Sequence, residues 1–307
     1  MLRKISLGKR GILRKFKKNK SRRGISPIIA TLLILGLVTT GVVIGLLQIL
    51  PFIERSKIES GITSVQSGLI ELDNAIHELI NGGEGFKRVE IEKPLGLLSL
   101  IPDEDNYNFQ IKNTTDTLFS YSQIIGKIEF SSPSTYDIIP VGSSKYLNGP
   151  DPTSKRDEVV IVDQNNAGNS GFNSMNIINM TRDSGSINID YFYRPKVIVS
   201  QTGANIDIQI QFIKLKSSSS LNESEFLAVE NNRNQIGVRY SLNSLTSTIF
   251  NGVLTANEII SIEYQNTGPI EQINPNWQSL WNSDLNGSSG NIVVKIILFE
   301  VEIVSYV

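Results

Sequence analysis

The residues Lys20-Ser21-Arg22-Arg23-Gly24-Ile25-Ser26-Pro27-Ile28-Ile29-Ala30-Thr31 join two segments of opposite character. On one side, residues 1–24 hold 11 of the chain's 29 lysines and arginines and none of its 30 acidic residues. On the other, Ile25 to Ile53 is a run of 29 residues without a charge. A bilayer's hydrocarbon core needs about 20 helical residues. At about 1.5 Å per residue this run reaches roughly 43 Å, enough to cross. Basic residues collect on the cytoplasmic side of a span, so residues 1–24 are expected in the cytoplasm and everything after Glu54 outside. The apolar run is about twice the length of a secretory signal's core, and Leu50-Pro51-Phe52-Ile53-Glu54-Arg55 offers no small-residue cleavage site. A single-pass membrane protein is therefore expected.

The formal net charge of −1 conceals this asymmetry: after Gly24, 18 basic residues face 30 acidic ones. A basic tail can bind nucleic acid, but one set directly beside an apolar span points to targeting, and no nucleic-acid partner is expected. Cysteine is absent, which excludes disulfides and thiolate metal sites. His77 is the only histidine, which weakens any His-based catalytic set or zinc site.

The spacing predicts a long helix over 25–81. Ser26 can cap it, and Pro27 suits its first turn, where a missing N–H costs nothing. Gly36, Gly41 and Gly45 lie inside the apolar part, and the Gly41/Gly45 pair would let a second helix approach closely. Pro51 is expected to kink the helix near the membrane exit. Beyond Glu54 the pattern turns amphipathic. Ile58, Ile62, Val65, Leu69, Leu72, Ile76 and Leu79 step by alternating fours and threes, and Asn81-Gly82-Gly83 is a stop signal. His77 reads as an ordinary residue at the surface or edge of this helix.

Arg22-Arg23-Gly24-Ile25-Ser26-Pro27-Ile28-Ile29-Ala30-Thr31-Leu32-Leu33 resembles the class III signal sequence of archaeal type IV pilins. The resemblance covers about 40 residues, or 60 with the helical extension. It implies cleavage between Gly24 and Ile25 by a prepilin peptidase that reads Arg22, Arg23, Gly24 and Ile25. It also implies assembly of the freed helix, through Pro27, Gly36, Gly41 and Gly45, into a filament of identical or related subunits on a pilus assembly platform, with membrane lipids as partners beforehand. Bacterial type IV pilins carry a glutamate at the fifth mature position and a C-terminal disulfide; here Ile29 stands at that position and there is no cysteine. The alternative is a membrane-anchored surface binding or adhesion module that never polymerises.

From residue 86 onward the apolar pattern alternates. Strands are expected at Arg88–Glu92, Gln123–Phe130, Val159–Asp163, Ile187–Tyr191, Lys196–Ser200, Asn205–Phe212, Gln235–Tyr240, Asn257–Gln265 and Ile292–Val307. The fold class is α+β: a long N-terminal hydrophobic helix followed by a mainly antiparallel, β-sandwich-like extracellular domain over 86–307. Ser217–Ser220 is an expected loop, and domain boundaries are conceivable within Asn148–Lys155 or Asn165–Asn176.

Within the expected exported domain, four Asn-x-Ser/Thr sequons, at Asn113, Asn179, Asn222 and Asn286, are candidate glycan acceptors. Asp103-Glu104-Asp105 offers carboxylates that suit a hard cation, but a solvated loop is the expected state. The stretch from Asp163 imitates the start of a calcium loop and fails at Ala167 and Ser174. No nucleophile elbow, phosphate-binding loop or metalloprotease helix occurs. No cofactor, metal or enzymatic activity is expected.

Overall fold

The computed structural model describes residues 27–92, 96–133, 138–149, 159–165, 175–217, 233–267 and 278–306. The processing junction Arg22 to Ile25, the sequon at Asn222, the Ser217–Ser220 loop beyond Ser217, and most of both conceivable boundaries lie outside the described residues. The chain divides into two compact units, Met1–Ile53 and Glu54–Val307.

A single helix, α1, runs Pro27–Gly82 over 56 residues and continues through Pro51. It ends where Gly83 adopts φ 93° and donates its N–H to the Leu79 carbonyl at 3.0 Å, the left-handed cap glycine tolerates best. In the first unit, Pro27–Ile53 is α-helical throughout.

The second unit opens with the α1 residues 54–82. Their four–three stripe is the buried face: Ile62, Val65, Leu69, Leu72, Ile76 and Leu79 are all in the core. Fourteen strands follow among the described residues. The first seven are β1 (Gly85–Glu92), β2 (Leu97–Lys112), β3 (Thr117–Pro133), β4 (Ser144–Asn148), β5 (Val160–Asp163), β6 (Asn176–Arg182) and β7 (Ser186–Tyr193). The rest are β8 (Lys196–Thr202), β9 (Asn205–Ser217), β10 (Arg233–Tyr240), β11 (Leu245–Leu254), β12 (Ile259–Thr267), β13 (Gln278–Asp284) and β14 (Gly290–Tyr306). They form two seven-stranded sheets. One runs β1-β10-β14-β9-β8-β5, with β11 also on β14; the other runs β13-β12-β2-β3-β7-β6-β4. Pairing is antiparallel except for two ladders, β14 with β9 and β5 with β8, which are parallel.

Two cores hold this unit, and single strands serve both. In β9, Ile206, Ile208, Ile210 and Phe212 enter one core while Ile213 and Leu215, on the opposite face, enter the other. β14 divides in the same way, with Ile292, Val294 and Ile296 against Val301 and Ile303. Alternation puts neighbours on opposite faces, so adjacent buried residues such as Phe212 and Ile213 mark a strand covered on both sides. The first core joins the α1 stripe to Val89 and Ile91 of β1 and to Ile189 and Tyr191 of β7. Gly68 is small because a Cβ there would stand 2.9 Å from Ile91 Cγ1. The second core contains no helix; Phe109 of β2 meets Phe212 of β9 edge-on at 5.7 Å.

Every expected strand is found, with shifted ends. Asp103-Glu104-Asp105 corrects the expectation of a loop. It sits inside β2, where the register with β3 shifts between Ile101 and Asp105; Asp103 lies 3.8 Å from Lys214 Nζ and Glu104 3.0 Å from Lys127 Nζ. β2, β4, β6, β11 and β13 had no counterpart among the expected strands.

Candidate functional site

The candidate site is the apolar half of α1. No residue of its most hydrophobic window is buried within the chain, and the helix is long and apolar enough to cross a membrane. Leu37 and Phe52 are each 73% exposed, and Ile28 70%. A surface of this kind is stable only against lipid or other apolar protein, because water exacts about 25 cal/mol for each Å² left exposed. Two of its four polar side chains are closed on the helix itself. Thr31 Oγ1 donates to the Pro27 and Ile28 carbonyls at 3.1 and 2.9 Å, and Thr39 Oγ1 to the Leu35 and Gly36 carbonyls at 2.8 and 3.0 Å. Gly36, Gly41 and Gly45 have open space where a Cβ would stand. At about 100° per residue Gly41 and Gly45 share one face, whereas Gly36 lies roughly 140° away from Gly41. The structure thus groups two of the three glycines and sets the third apart. Pro27 occupies the first described turn of the helix.

Three of the four sequons are described, and their surroundings differ. Asn113 turns the β2–β3 connection: its Oδ1 accepts from Asp116 N at 2.6 Å and Thr115 N at 3.1 Å, and its Nδ2 donates to Glu258 at 3.1 Å. Asn179 sits in β6 between β4 and β7 with its Oδ1 buried. Asn286 is exposed at a turn with φ 40°, held by its N–H to Asp284 Oδ1 at 2.9 Å. Of these three asparagines Asn286 alone is exposed.

Two polar clusters were not legible in the sequence. Asp73 Oδ1 accepts from Tyr193 Oη at 2.7 Å and Tyr191 Oη at 3.2 Å, and lies 3.3 Å from His77 Nδ1. His77 is therefore half-buried and engaged, where a plain edge residue was expected. Its hydrogen bond to Asp73 raises its pKa above the usual value, although burial opposes this. Burial holds both tyrosines protonated far above their ordinary range, so their hydroxyls remain donors. The second cluster sets Lys127 Nζ among Glu104, Glu129 and Asp190 at 3.0, 3.3 and 3.4 Å. Burial works against the lysine's charge, but the three carboxylates more than offset it and its pKa lies above the ordinary lysine value. One cation cannot balance three anions, and Asp190, the most desolvated, has its pKa pushed up to about 6.

A shallow groove of about 650 Å³ along α1 is lined by Ser60, Thr63, Ser64, Ser67, Gly68, Glu71 and Glu90. Among the described residues no group of three or more His, Asp or Glu is placed to hold a metal ion. Compared with protein-family models, curated proteins and solved structures, the chain matches none of them.

Proposed function

We propose that this chain is a non-enzymatic structural subunit, a pilin or minor pilin, of an archaeal type IV pilus-like surface filament. One observation carries the proposal. The uncharged helix Pro27–Ile53 is left bare by its own chain, and it directly follows a basic leader that ends Arg22-Arg23-Gly24. A prepilin peptidase cutting after Gly24 removes 11 positive charges that would hold the helix at the cytoplasmic surface. Lipid and a filament core are both apolar, so moving the helix from one to the other is nearly neutral in hydrophobic energy, and close packing decides the outcome. The Gly41/Gly45 face offers that close approach. Residues 1–24 lie in the cytoplasm before cleavage, and the β-rich unit, a sandwich-like outer shell, lies outside the cell.

Electron microscopy of surface fibres, labelled with antibody against the β-rich unit, tests this. Label along the fibre shaft or at its tip supports a major or minor subunit respectively. Label confined to membranes, with no fibre, favours the membrane-anchored binding module instead.

A further inference from the structure

We infer that β11 is a self-pairing edge through which two copies of this chain join, antiparallel, with Ile249 opposite Ile249. This goes beyond the filament proposal and does not depend on it.

β10 and β11 lie on the same side of β14, separated by a three-residue 3-10 turn at Leu242–Ser244. β1 covers the outer edge of β10 along its full length. Among the described residues no strand continues that row beside β11, and none pairs with the outer edge of its ten residues.

Proteins protect such edges with charge, proline or shortness. The other described edge strands follow that rule. β1 carries Lys87, Arg88, Glu90 and Glu92; β4 and β5 have five and four residues; β13 has seven and ends on Asp284. β11 is Leu245-Thr-Ser-Thr-Ile-Phe-Asn-Gly-Val-Leu254, without a charge or a proline. It also projects: Leu245, Ile249 and Val253 on its outer face are 41%, 58% and 79% exposed.

The occupant follows from the side-chain order. When β11 is laid antiparallel on itself about Ile249, the outer face pairs Leu245 with Val253, Ser247 with Asn251, and Ile249 with Ile249. On that face apolar meets apolar and polar meets polar at each position, the matching that stabilises cross-strand pairs. The opposite face sets Thr246 against Gly252 and Thr248 against Phe250, with no charge to repel. Such a contact is isologous, so it closes at two copies and cannot by itself propagate a filament. It would join two subunits in the membrane, or two fibres side by side.

The absence of cysteine gives a clean test on the full chain in its native membranes or fibres. Directly opposed strand residues have Cβ atoms about 4.5–5.5 Å apart, close to disulfide reach. Single variants Ile249→Cys, Leu245→Cys, Val253→Cys and, as an exposed control elsewhere, Val141→Cys are oxidised with diamide and run without reductant. In this register two Val253 residues stand about 26 Å apart along the strands. The expected result is a strong dimer for I249C, none above the V141C background for V253C or L245C alone, and a dimer again when the L245C and V253C chains are co-expressed. An I249C dimer no stronger than that of V141C would overturn the inference, as would equal dimer at all four positions, which marks random collision.

Discussion

Tyr193 reaches back 120 residues to donate its hydroxyl to Asp73 Oδ1 at 2.7 Å, and so ties β7 to the helix. Tyr191 Oη lies 3.2 Å from the same oxygen and 2.5 Å from Tyr193 Oη, so its one proton can serve either acceptor. Both tyrosines are fully buried, so neither hydroxyl has water to fall back on. Tyr193→Phe removes one donor while Tyr191 still serves the carboxylate, and a loss of about 1–1.5 kcal/mol is expected. Asp73→Ala leaves the buried Tyr193 hydroxyl without its acceptor, while Tyr191 can still donate to Tyr193, and should cost more, about 2–3 kcal/mol. Denaturant unfolding of the full chain in detergent, followed by tyrosine fluorescence, measures the two. Equal, negligible losses would show that the network contributes nothing to docking of the helix.

His77 makes that network pH-dependent. Its folded pKa lies above the ordinary 6.5, chiefly through the hydrogen bond to Asp73, with Lys196 opposing weakly. A raised pKa means that the folded state holds the proton more tightly. The stability it contributes is fully present below about pH 6.5 and is lost as pH rises through the folded value. His77→Gln should therefore be less stable than the native chain at about pH 5.5 and nearly equal to it at about pH 8.5. A stability difference that does not change with pH would contradict this assignment.

The Lys127 cluster predicts an asymmetry between its members. Lys127→Met leaves Glu104, Glu129 and Asp190 crowded without a cation and should destabilise by up to about 3 kcal/mol at neutral pH. Asp190→Asn at neutral pH removes the carboxylate that ionises least willingly, and should be neutral or mildly stabilising. Thermal unfolding of the two variants tests the pair. Greater damage from Asp190→Asn than from Lys127→Met would reverse the account.

Much of the architecture was legible because it rests on periodicity. The stripe from Ile58 to Leu79 names the buried face of the second half of α1, alternation locates β7 and β9, and a nearly continuous apolar run locates β14. β6 escaped because Asn176-Ile-Ile-Asn-Met-Thr-Arg182 does not alternate cleanly; it lies between two strands and buries residues on both faces. β11 escaped because its exposed first half lacks the buried–exposed contrast that alternation reports. Asp103-Glu104-Asp105 looked like a loop because three adjacent acids rarely sit in a strand; the irregular register there, the exposure of Asp103 and the distant Lys127 beside Glu104 are not visible in the local sequence. The same distance hid the Asp73 network: no local pattern links a helix carboxylate to tyrosines more than a hundred residues away. The apolar site itself was visible in full, since a run without charge needs no partner to be recognised.

The Gly41/Gly45 face yields a prediction about assembly. Gly41→Glu places a charge on the helix face where close packing is proposed, while leaving residues 54–307 untouched. Surface fibres should be lost, and the variant should remain in the membrane with its β-rich unit resistant to protease. Fibres in normal number would show that this face does not line the core.

Processing is the step on which the whole proposal rests, and N-terminal peptide mapping of material sheared from the cell surface tests it most directly. The account predicts a mature terminus at Ile25, with no peptide from residues 1–24. Gly24→Val should abolish that terminus. A chain recovered only from membranes, with its basic leader intact from Met1, would contradict the filament proposal and leave the anchored binding module in its place.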